Sequence, residues 1–133
     1  MSDRRFTQTF TAEPHHIDEL GHVNNTVWLG WVQDIATSHW EAAADPAHIE
    51  SFIWVVIRHE IDYRGNIAAG ESVTGATWIP DPAKGAKSDR CAEFRDASGR
   101  VLVSARTTWA MLDKASQRLV RVRADVMAPF HSG

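Results

Sequence analysis

The fold of this chain is decided by the stretch Asp18-Glu-Leu-Gly-His-Val-Asn-Asn25 and the apolar residues that follow it. From Thr26 to Ile35, large apolar side chains recur three and four positions apart, which is the spacing of a helix buried along most of its circumference. The quoted polar loop therefore leads into the N-terminus of a helix. Unpaired backbone N–H groups and a partial positive charge at such an end can hold an anion, or a carbonyl oxygen that becomes negative during a reaction.

The limits of this helix and of the strands around it can be predicted from local signals. Asn24 or Asn25 is the expected N-cap, and the helix should end near Ala44 because Asp45-Pro46 disfavours helical geometry. The apolar period then changes to two, which predicts strands. We expect them at Arg5–Ala12, Ser51–Tyr63, Glu71–Ile79, Ser88–Arg95 and Arg100–Leu112.

The last two strands are predicted to form a hairpin through Asp96-Ala-Ser-Gly99. The final strand alternates well, which predicts that one of its faces carries Val101, Val103, Ala105, Thr107, Trp109 and Met111. Five strands and one long helix predict an α+β architecture, in which an antiparallel sheet curls around the helix. So small a sheet keeps open edges, which predicts self-association.

Length and composition indicate a single domain over residues 1–133. Cys91 is the one cysteine, so no intrachain disulfide is possible, and its strand context predicts a small core residue. No apolar segment follows Arg4 and Arg5 near the N-terminus, and no stretch reaches the length of a membrane span. We therefore expect a cytoplasmic, soluble protein without a membrane partner.

Charge is distributed unevenly along the chain. Residues 1–82 carry four basic and twelve acidic side chains, a net charge of −8, whereas residues 83–123 carry ten basic and four acidic ones, a net charge of +6. A basic half on a mildly acidic protein can attract a phosphorylated ligand without making a nucleic-acid binder. The alternative interpretation is a set of ordinary solvated strand faces.

The chain resembles the hotdog-fold thioesterases, in particular their 4-hydroxybenzoyl-CoA thioesterase and acyl-ACP thioesterase branches. The resemblance rests on a first strand, the loop His16-Ile-Asp-Glu-Leu-Gly-His-Val-Asn-Asn25 and aromatic residues in the helix behind it. Weaker matches cover much of the remaining chain, at Trp28, Trp31, His59-Glu-Ile-Asp-Tyr63, Gly70-Glu71, Glu93-Phe-Arg95, Gly99 and Thr107-Thr-Trp109.

This resemblance implies a hotdog fold and hydrolysis of an acyl thioester of coenzyme A, or of acyl carrier protein, without a cofactor. It also implies a homodimer, alone or paired into a homotetramer, with sheets edge to edge and active sites at the interface. One departure is His16, which stands where the hydroxybenzoyl-CoA branch has its catalytic carboxylate. Asp18 and His22 match an aspartate and a histidine of the plant acyl-ACP branch, but Leu20 replaces an asparagine of that branch.

Thioester hydrolysis needs an attacking water or carboxylate and donors for the developing oxyanion. We hypothesise that Asp18 is the general base for water or the direct nucleophile, with His22 orienting water or sharing its proton. Backbone N–H groups from Val23 to Asn25 would polarise the thioester oxygen. The alternatives are that Asp18 caps the loop, that His22 is structural, that Asn25 caps the helix, or that His16 is the base.

Substrate contacts are assigned by residue type. The tryptophans Trp28, Trp54 and Trp78 are candidates for an apolar acyl pocket, although large aromatics also serve as plain core. Phosphate groups of coenzyme A would contact basic side chains, with candidates at Lys87, Arg90, Arg121 and Arg123. No metal is expected. The remaining histidines do not form a metal-binding spacing with carboxylates or cysteines; they are His15, His39, His48, His59 and His131.

Two competing functions fit the same fold. Hotdog hydratases and dehydratases also act on acyl thioesters, but their Asp-x-Asn-Pro-x-His pattern is absent from this sequence. A non-catalytic acyl-CoA-binding or assembly module is the other alternative, because His16 and Leu20 both depart from the catalytic patterns.

Overall fold

A computed structural model describes residues 4–131, so residues 1–3 and 132–133 lie outside this description. The helices are α1 (Asn25–Ala43), α2 (Pro46–Ser51) and α3 (Ala124–Met127), with short 3₁₀ turns at Pro14–His16 and Ala128–Phe130. The strands are β1 (Phe6–Thr11), β2 (Phe52–Tyr63), β3 (Ser72–Trp78), β4 (Lys87–Arg95) and β5 (Val101–Asp113). The predicted strands are thus confirmed, while the short helix α2 was missed.

Helix α1 begins where the sequence predicts. The Oδ1 atom of Asn24 accepts hydrogen bonds from the Thr26 backbone N–H at 2.8 Å and from the Thr26 hydroxyl at 2.7 Å, so Asn24 is the N-cap. One face of the helix is buried, through Trp28, Trp31, Val32, Ile35, Ala36 and His39. The expectation of burial around most of its circumference is wrong for the single chain, because the sheet covers α1 from one side only.

The five strands form one antiparallel sheet in the order β1-β3-β4-β5-β2. Strands β1 and β2 are its two edges, so the predicted open edges are present. Gly75 lies where α1 approaches most closely: a Cβ atom there would lie 2.9 Å from Ile35 Cδ1 and 2.9 Å from Phe94 Cε1. Glycine is therefore needed for the helix to rest on β3.

Two separate hydrophobic clusters line α1. The first surrounds its N-terminal half, where Trp28 packs edge-to-face on Trp31 and Phe94, with ring centroids 5.1 and 5.7 Å apart. The second surrounds its C-terminal end, where Trp40 stacks on Phe130. The chain after β5 supplies much of this second cluster, through Val122, Val126, Met127 and Phe130.

The inward face of β5 agrees with the predicted alternation. Val103, Ala105, Thr107 and Met111 are buried on it. Leu102 points the other way and is nevertheless buried, because the connector after β2 crosses it and Arg64 donates its backbone N–H to the Leu102 carbonyl at 2.7 Å. Strand parity alone could not have predicted that cover.

Candidate active site

The loop between β1 and α1 contains a tight turn around Asp18. The Asp18 Oδ1 atom accepts a hydrogen bond from the Leu20 N–H at 2.9 Å, and the Asp18 carbonyl accepts one from the Gly21 N–H at 3.0 Å. Gly21 has a φ of 78°, which favours glycine at this position. The hydrogen bond to Oδ1 therefore holds the Asp18 carboxylate within its own turn, and the side chain is half-buried.

Asn66, in the connector between β2 and β3, holds the end of this loop. Its Oδ1 accepts the Val23 N–H at 3.0 Å, and its Nδ2 donates to the Val23 carbonyl at 3.1 Å. The Val23 N–H also lies 3.3 Å from the Ile67 carbonyl, and the Asn24 N–H donates to the His16 carbonyl at 3.0 Å. Both amides are thus engaged within the chain. Of the three backbone N–H groups predicted to polarise the thioester oxygen, the Asn25 N–H is the one that has no acceptor within residues 4–131.

The two histidines of the loop have different environments. His16 accepts a hydrogen bond at Nδ1 from the Glu13 N–H at 3.0 Å, and its ring packs edge-to-face on Trp31. His22 is exposed, and its ring makes no hydrogen bond to any residue in the described range 4–131. Asn25 is also exposed, and its carbonyl accepts a 3.4 Å hydrogen bond from Tyr63. Of these groups, the structure holds His16 in place and leaves His22 accessible.

A cavity of about 340 Å³ lies at the other end of α1, between the helix, β2 and the C-terminal segment. Its walls are mainly aromatic and aliphatic and include Trp40, Phe52, Trp54, Ile79, Trp109 and Phe130. Five polar side chains also line it, namely Thr37, Glu41, Ser88, Arg90 and Lys114. A volume of this size falls in the range of roughly 300–1,000 Å³ that is usual for small-molecule sites.

The three tryptophans predicted for an acyl pocket are not brought together. Trp54 lines the cavity. Trp28 is fully buried in the first hydrophobic cluster, and Trp78 lies on the outer face of the sheet with the Arg5 guanidinium 3.8 Å above its ring. Trp40 and Trp109 line the cavity instead, and sequence reasoning missed them. The placement of Trp109 on one face with Thr107 and Met111 was the available signal.

Arg90 is buried and does not contribute to the basic surface. Its Nη1 donates to His39 Nδ1 at 2.8 Å and to the Thr77 hydroxyl at 3.2 Å. Burial, and then the positive charge of Arg90, lower the pKa of His39 to about 4. Burial also lowers the pKa of Arg90 to about 10, so the guanidinium is still charged at neutral pH. Arg90, predicted to contact phosphate, is therefore not at the basic surface, because its buried side chain borders the cavity.

The other predicted phosphate contacts share one edge of the molecule. The Val122 N–H donates to the Gly85 carbonyl at 2.8 Å, which brings residues 121–123 alongside the turn that precedes β4. Lys87, Arg121 and Arg123 are all exposed there. Arg123 forms an ion pair with Asp125 at 3.2 Å.

A chain of polar side chains, Gln33, His59 and Thr107, links α1 to the sheet and was not predicted from the sequence. His59 Nδ1 lies 2.8 Å from the Thr107 hydroxyl, and His59 Nε2 lies 3.3 Å from Gln33 Nε2. Burial lowers the pKa of His59, which favours the neutral ring. The connection could not be predicted locally, because its three members come from α1, β2 and β5.

The histidine spacing predicted no metal site. Three residues that could bind a metal nevertheless lie close together at the 3₁₀ turn after β1. Atoms of Glu13, His15 and His16 all lie within 4.8 Å of one another. The His16 Nδ1 atom is already used as a hydrogen-bond acceptor for the Glu13 N–H. A metal at that nitrogen would have to displace this bond.

The helices in residues 4–131 include none that is both long and apolar enough to cross a membrane.

Sequence comparison relates the chain to known thioesterases. The family model of the acyl-ACP thioesterase N-terminal domain matches residues 3–130. A chloroplastic acyl-[acyl-carrier-protein] hydrolase of Cuphea viscosissima is 27% identical over 74 residues, which are 56% of this chain and 18% of that protein. The alignment thus spans less than a fifth of the relative's length.

Structural comparison identifies the fold. The probable thioesterase YbaW from Escherichia coli superposes with a TM-score of 0.80 at 17% identity, covering 92% of this chain and 94% of that chain. A hypothetical protein from Staphylococcus aureus, solved in complex with CoA, superposes with a TM-score of 0.84 at 12% identity, covering 97% and 83%. The sheet order and these superpositions show a hotdog fold, as the sequence resemblance implied.

Proposed function

The chain belongs to the acyl-ACP thioesterase N-terminal domain family, and on that premise we propose that it hydrolyses an acyl thioester to a free acid and a thiol. The observation that carries the proposal is the family match over residues 3–130. The loop at the tip of α1 supplies groups that suit this chemistry, namely the Asp18 carboxylate, the exposed His22 ring and the Asn25 N–H.

In the proposed reaction Asp18 acts as the general base. Its carboxylate takes a proton from water while the water oxygen bonds to the thioester carbon, and the carbonyl electrons move onto oxygen. The Asn25 N–H donates to that oxyanion, a contact that can contribute about 3 kcal/mol. The carbonyl then re-forms, the C–S bond breaks, and the thiolate takes the proton held by Asp18. His22 orients the water.

Two alternatives use the same loop. In one, Asp18 is the direct nucleophile; in the other, His16 is the base.

The Asp18 turn supports a clean test of this assignment. Asp18→Asn keeps a side-chain oxygen that can accept the Leu20 N–H, so the turn can survive while the base is removed. Glu19→Gln is the matched control, because Glu19 is an adjacent, exposed carboxylate. We expect Asp18→Asn to lower kcat by about 100-fold or more, in the range general bases contribute. Glu19→Gln should stay close to wild type.

Thiol release should be measured with aromatic, short-chain and long-chain acyl-CoA substrates and with the corresponding acyl-ACP substrates. Full activity of Asp18→Asn would exclude Asp18 as base, and a large loss in His16→Asn alone would favour His16. Ligand binding without turnover on every substrate would favour the non-catalytic module, for which the engaged Val23 and Asn24 amides are the supporting observation.

We propose coenzyme A rather than acyl carrier protein as the thiol carrier. The cluster of exposed cations formed by Lys87, Arg121 and Arg123 suits the phosphates of coenzyme A. Comparison of kcat/KM for one acyl group on both carriers distinguishes them.

The active unit is proposed to be a homodimer formed through the β2 edge, with a homotetramer as the larger alternative. Strand β2 exposes three apolar side chains, Ile53, Val55 and Ile57, at 42%, 37% and 52% of their surface. An edge strand of twelve residues with such a face is a ready template for pairing with a second copy. A cleft between the two copies is expected beside the Asp18 loop, because Tyr63 at the end of β2 donates to the Asn25 carbonyl at 3.4 Å.

A further inference from the structure

Arg90 carries a buried charge that the described chain does not neutralise. The residue is 9% exposed, and within residues 4–131 it forms no ion pair. Its two hydrogen-bond acceptors, His39 and Thr77, are both neutral at physiological pH. The Phe130 ring lies 5.7 Å from the Arg90 guanidinium carbon but brings no negative charge. A buried cation without a counter-ion is strongly destabilising, so an anionic ligand group in the adjoining cavity would stabilise it.

Two more polar groups border the same cavity without a partner. Ser88 Oγ and Trp109 Nε1 are buried and make no hydrogen bond to any described residue. Ser88 and Trp109 face each other across β4 and β5, and Arg90 is two residues from Ser88 on the same face of β4. Ser88, at 6% exposed, is as buried as Arg90. Buried polar groups normally have partners, so three incompletely used donors on one wall point to a polar ligand group.

We propose that this cavity binds a ligand with a carboxylate at one end and an apolar body. The carboxylate accepts hydrogen bonds from Arg90 and Ser88, and the body lies against the aromatic walls formed by Trp40, Trp54 and Phe130. A guanidinium matches the two oxygens of a carboxylate in geometry and charge. Lys114 and Glu41 line the more exposed part of the cavity with opposite charges, and neither pairs with Arg90.

This ligand chemistry has two sources. A thioester substrate whose acyl group ends in a carboxylate would place that end at Arg90, and this source rests on the proposed hydrolysis. A free organic acid could occupy the cavity independently of any reaction.

Binding of free acids tests the proposal without catalysis. The probes are 4-phenylbutyrate and its uncharged isostere 4-phenylbutyramide, followed by calorimetry and by the fluorescence of the cavity tryptophans. We expect the acid to bind at least about tenfold more tightly than the amide, as is usual for a hydrogen bond to a charged group. Arg90→Met should abolish this preference. Arg100→Met, at an exposed arginine far along the β4–β5 hairpin, should retain it.

Ser88→Ala provides a second variant in case Arg90→Met does not fold. It keeps the charge and removes one donor, so acid binding should weaken about two- to tenfold while amide binding changes less. Equal affinity of the wild type for acid and amide, or retention of the preference in Arg90→Met, would overturn the proposal.

Hydrolysis distinguishes the two sources. Asn25 and His39 are separated by roughly 21 Å along α1, so the acyl group must be long. The mono-CoA thioester of hexadecanedioic acid should be preferred over hexadecanoyl-CoA by the wild type but not by Arg90→Met if the ligand is the acyl group. A preference for 4-phenylbutyrate without any preference between the thioesters supports the free acid. If no thioester is hydrolysed while acid binding stays selective, the proposed hydrolysis fails and the acid site stands.

Discussion

The Asn66 side chain hydrogen-bonds both polar groups of the Val23 backbone: Oδ1 accepts the Val23 N–H at 3.0 Å, and Nδ2 donates to the Val23 carbonyl at 3.1 Å. The two residues are 43 positions apart, and the contact joins the β2–β3 connector to the last turn of the loop before α1. Val23 itself is 1% exposed. The Asn66 side chain therefore fixes the position of the loop relative to the sheet.

Asn66→Ala should weaken both the fold and the proposed activity. Loss of two partly buried hydrogen bonds is expected to lower the free energy of unfolding by about 1–3 kcal/mol. The loop would also lose its anchor, so kcat should fall by more than the change in stability explains. Urea denaturation and thiol release measure the two effects. Asn66→Asp, which keeps the acceptor for Val23 but loses the donor, should be intermediate in kcat; wild-type behaviour of both variants would contradict this role.

His39 should make stability fall in acid. Its pKa is about 4 in the folded chain against 6.5 when exposed, so below pH 6.5 the unfolded chain binds more protons than the folded one. The His39 contribution is thus present above pH 6.5 and is lost as the pH falls toward 4, by about 2–3 kcal/mol at pH 4.5. Urea denaturation at pH 7 and 4.5 should show a smaller difference for His39→Asn than for wild type. Equal pH dependence of the two proteins would contradict it.

Two glycines should respond to alanine in opposite ways. Gly75→Ala places a Cβ 2.9 Å from Ile35 and Phe94, so we expect a loss of about 1–3 kcal/mol in the free energy of unfolding from overpacking. Gly30→Ala, within α1, meets no atom within 4 Å and should stabilise by up to about 1 kcal/mol through helix propensity. Thermal or urea unfolding decides both. Stabilisation by Gly75→Ala would mean that α1 does not rest on β3 as described.

The cation cluster of Lys87, Arg121 and Arg123 should make KM for acyl-CoA depend on salt. Phosphate contacts at an exposed surface are screened by salt, so KM should rise as ionic strength increases. The double variant Lys87→Glu/Arg121→Glu should have a higher KM at low salt and a flatter salt dependence. Arg95→Glu/Arg100→Glu is the control, because it replaces two exposed arginines away from the cluster and so makes the same change in net charge. A KM that is independent of salt in the wild type would exclude this cluster as the phosphate site.

The outer face of β2 should control assembly. Val55→Lys/Ile57→Lys places two charges among its exposed apolar side chains and is expected to shift a dimer to monomer. Thr9→Lys, on the exposed face of the other edge strand, is the matched control and should leave the dimer intact. Sedimentation velocity measures the states. Dissociation by Thr9→Lys alone would place the interface at β1.

The fold could be predicted because its signals are local. Asn24 caps α1 through Thr26, two positions away, and Asp96 accepts hydrogen bonds from the backbone N–H groups of Ser98 and Arg100 to close the β4–β5 hairpin. The alternation of β5 likewise depends only on neighbours along the strand. Each of these features is encoded within a few residues.

The site could be predicted only in part, because its contacts join distant segments. Nothing near Asn66 indicates that it holds Val23, and nothing near Arg90 indicates that it meets His39, 51 positions away. Trp54 and Trp78 both lie in strands of mixed composition, yet one lines the cavity and the other lies on the outer face under Arg5. Which face of a strand is covered depends on the other elements and cannot be derived from alternation.

The two hydrophobic clusters along α1 have no residue in common. One supports the loop before the helix and the other surrounds the cavity at its far end. Substitutions among the cavity residues can therefore change the proposed ligand site without changing the packing that supports the loop with Asp18. In a lineage of such proteins, the proposed ligand preference could change at one end of α1 while the proposed chemistry of the Asp18 loop is inherited unchanged.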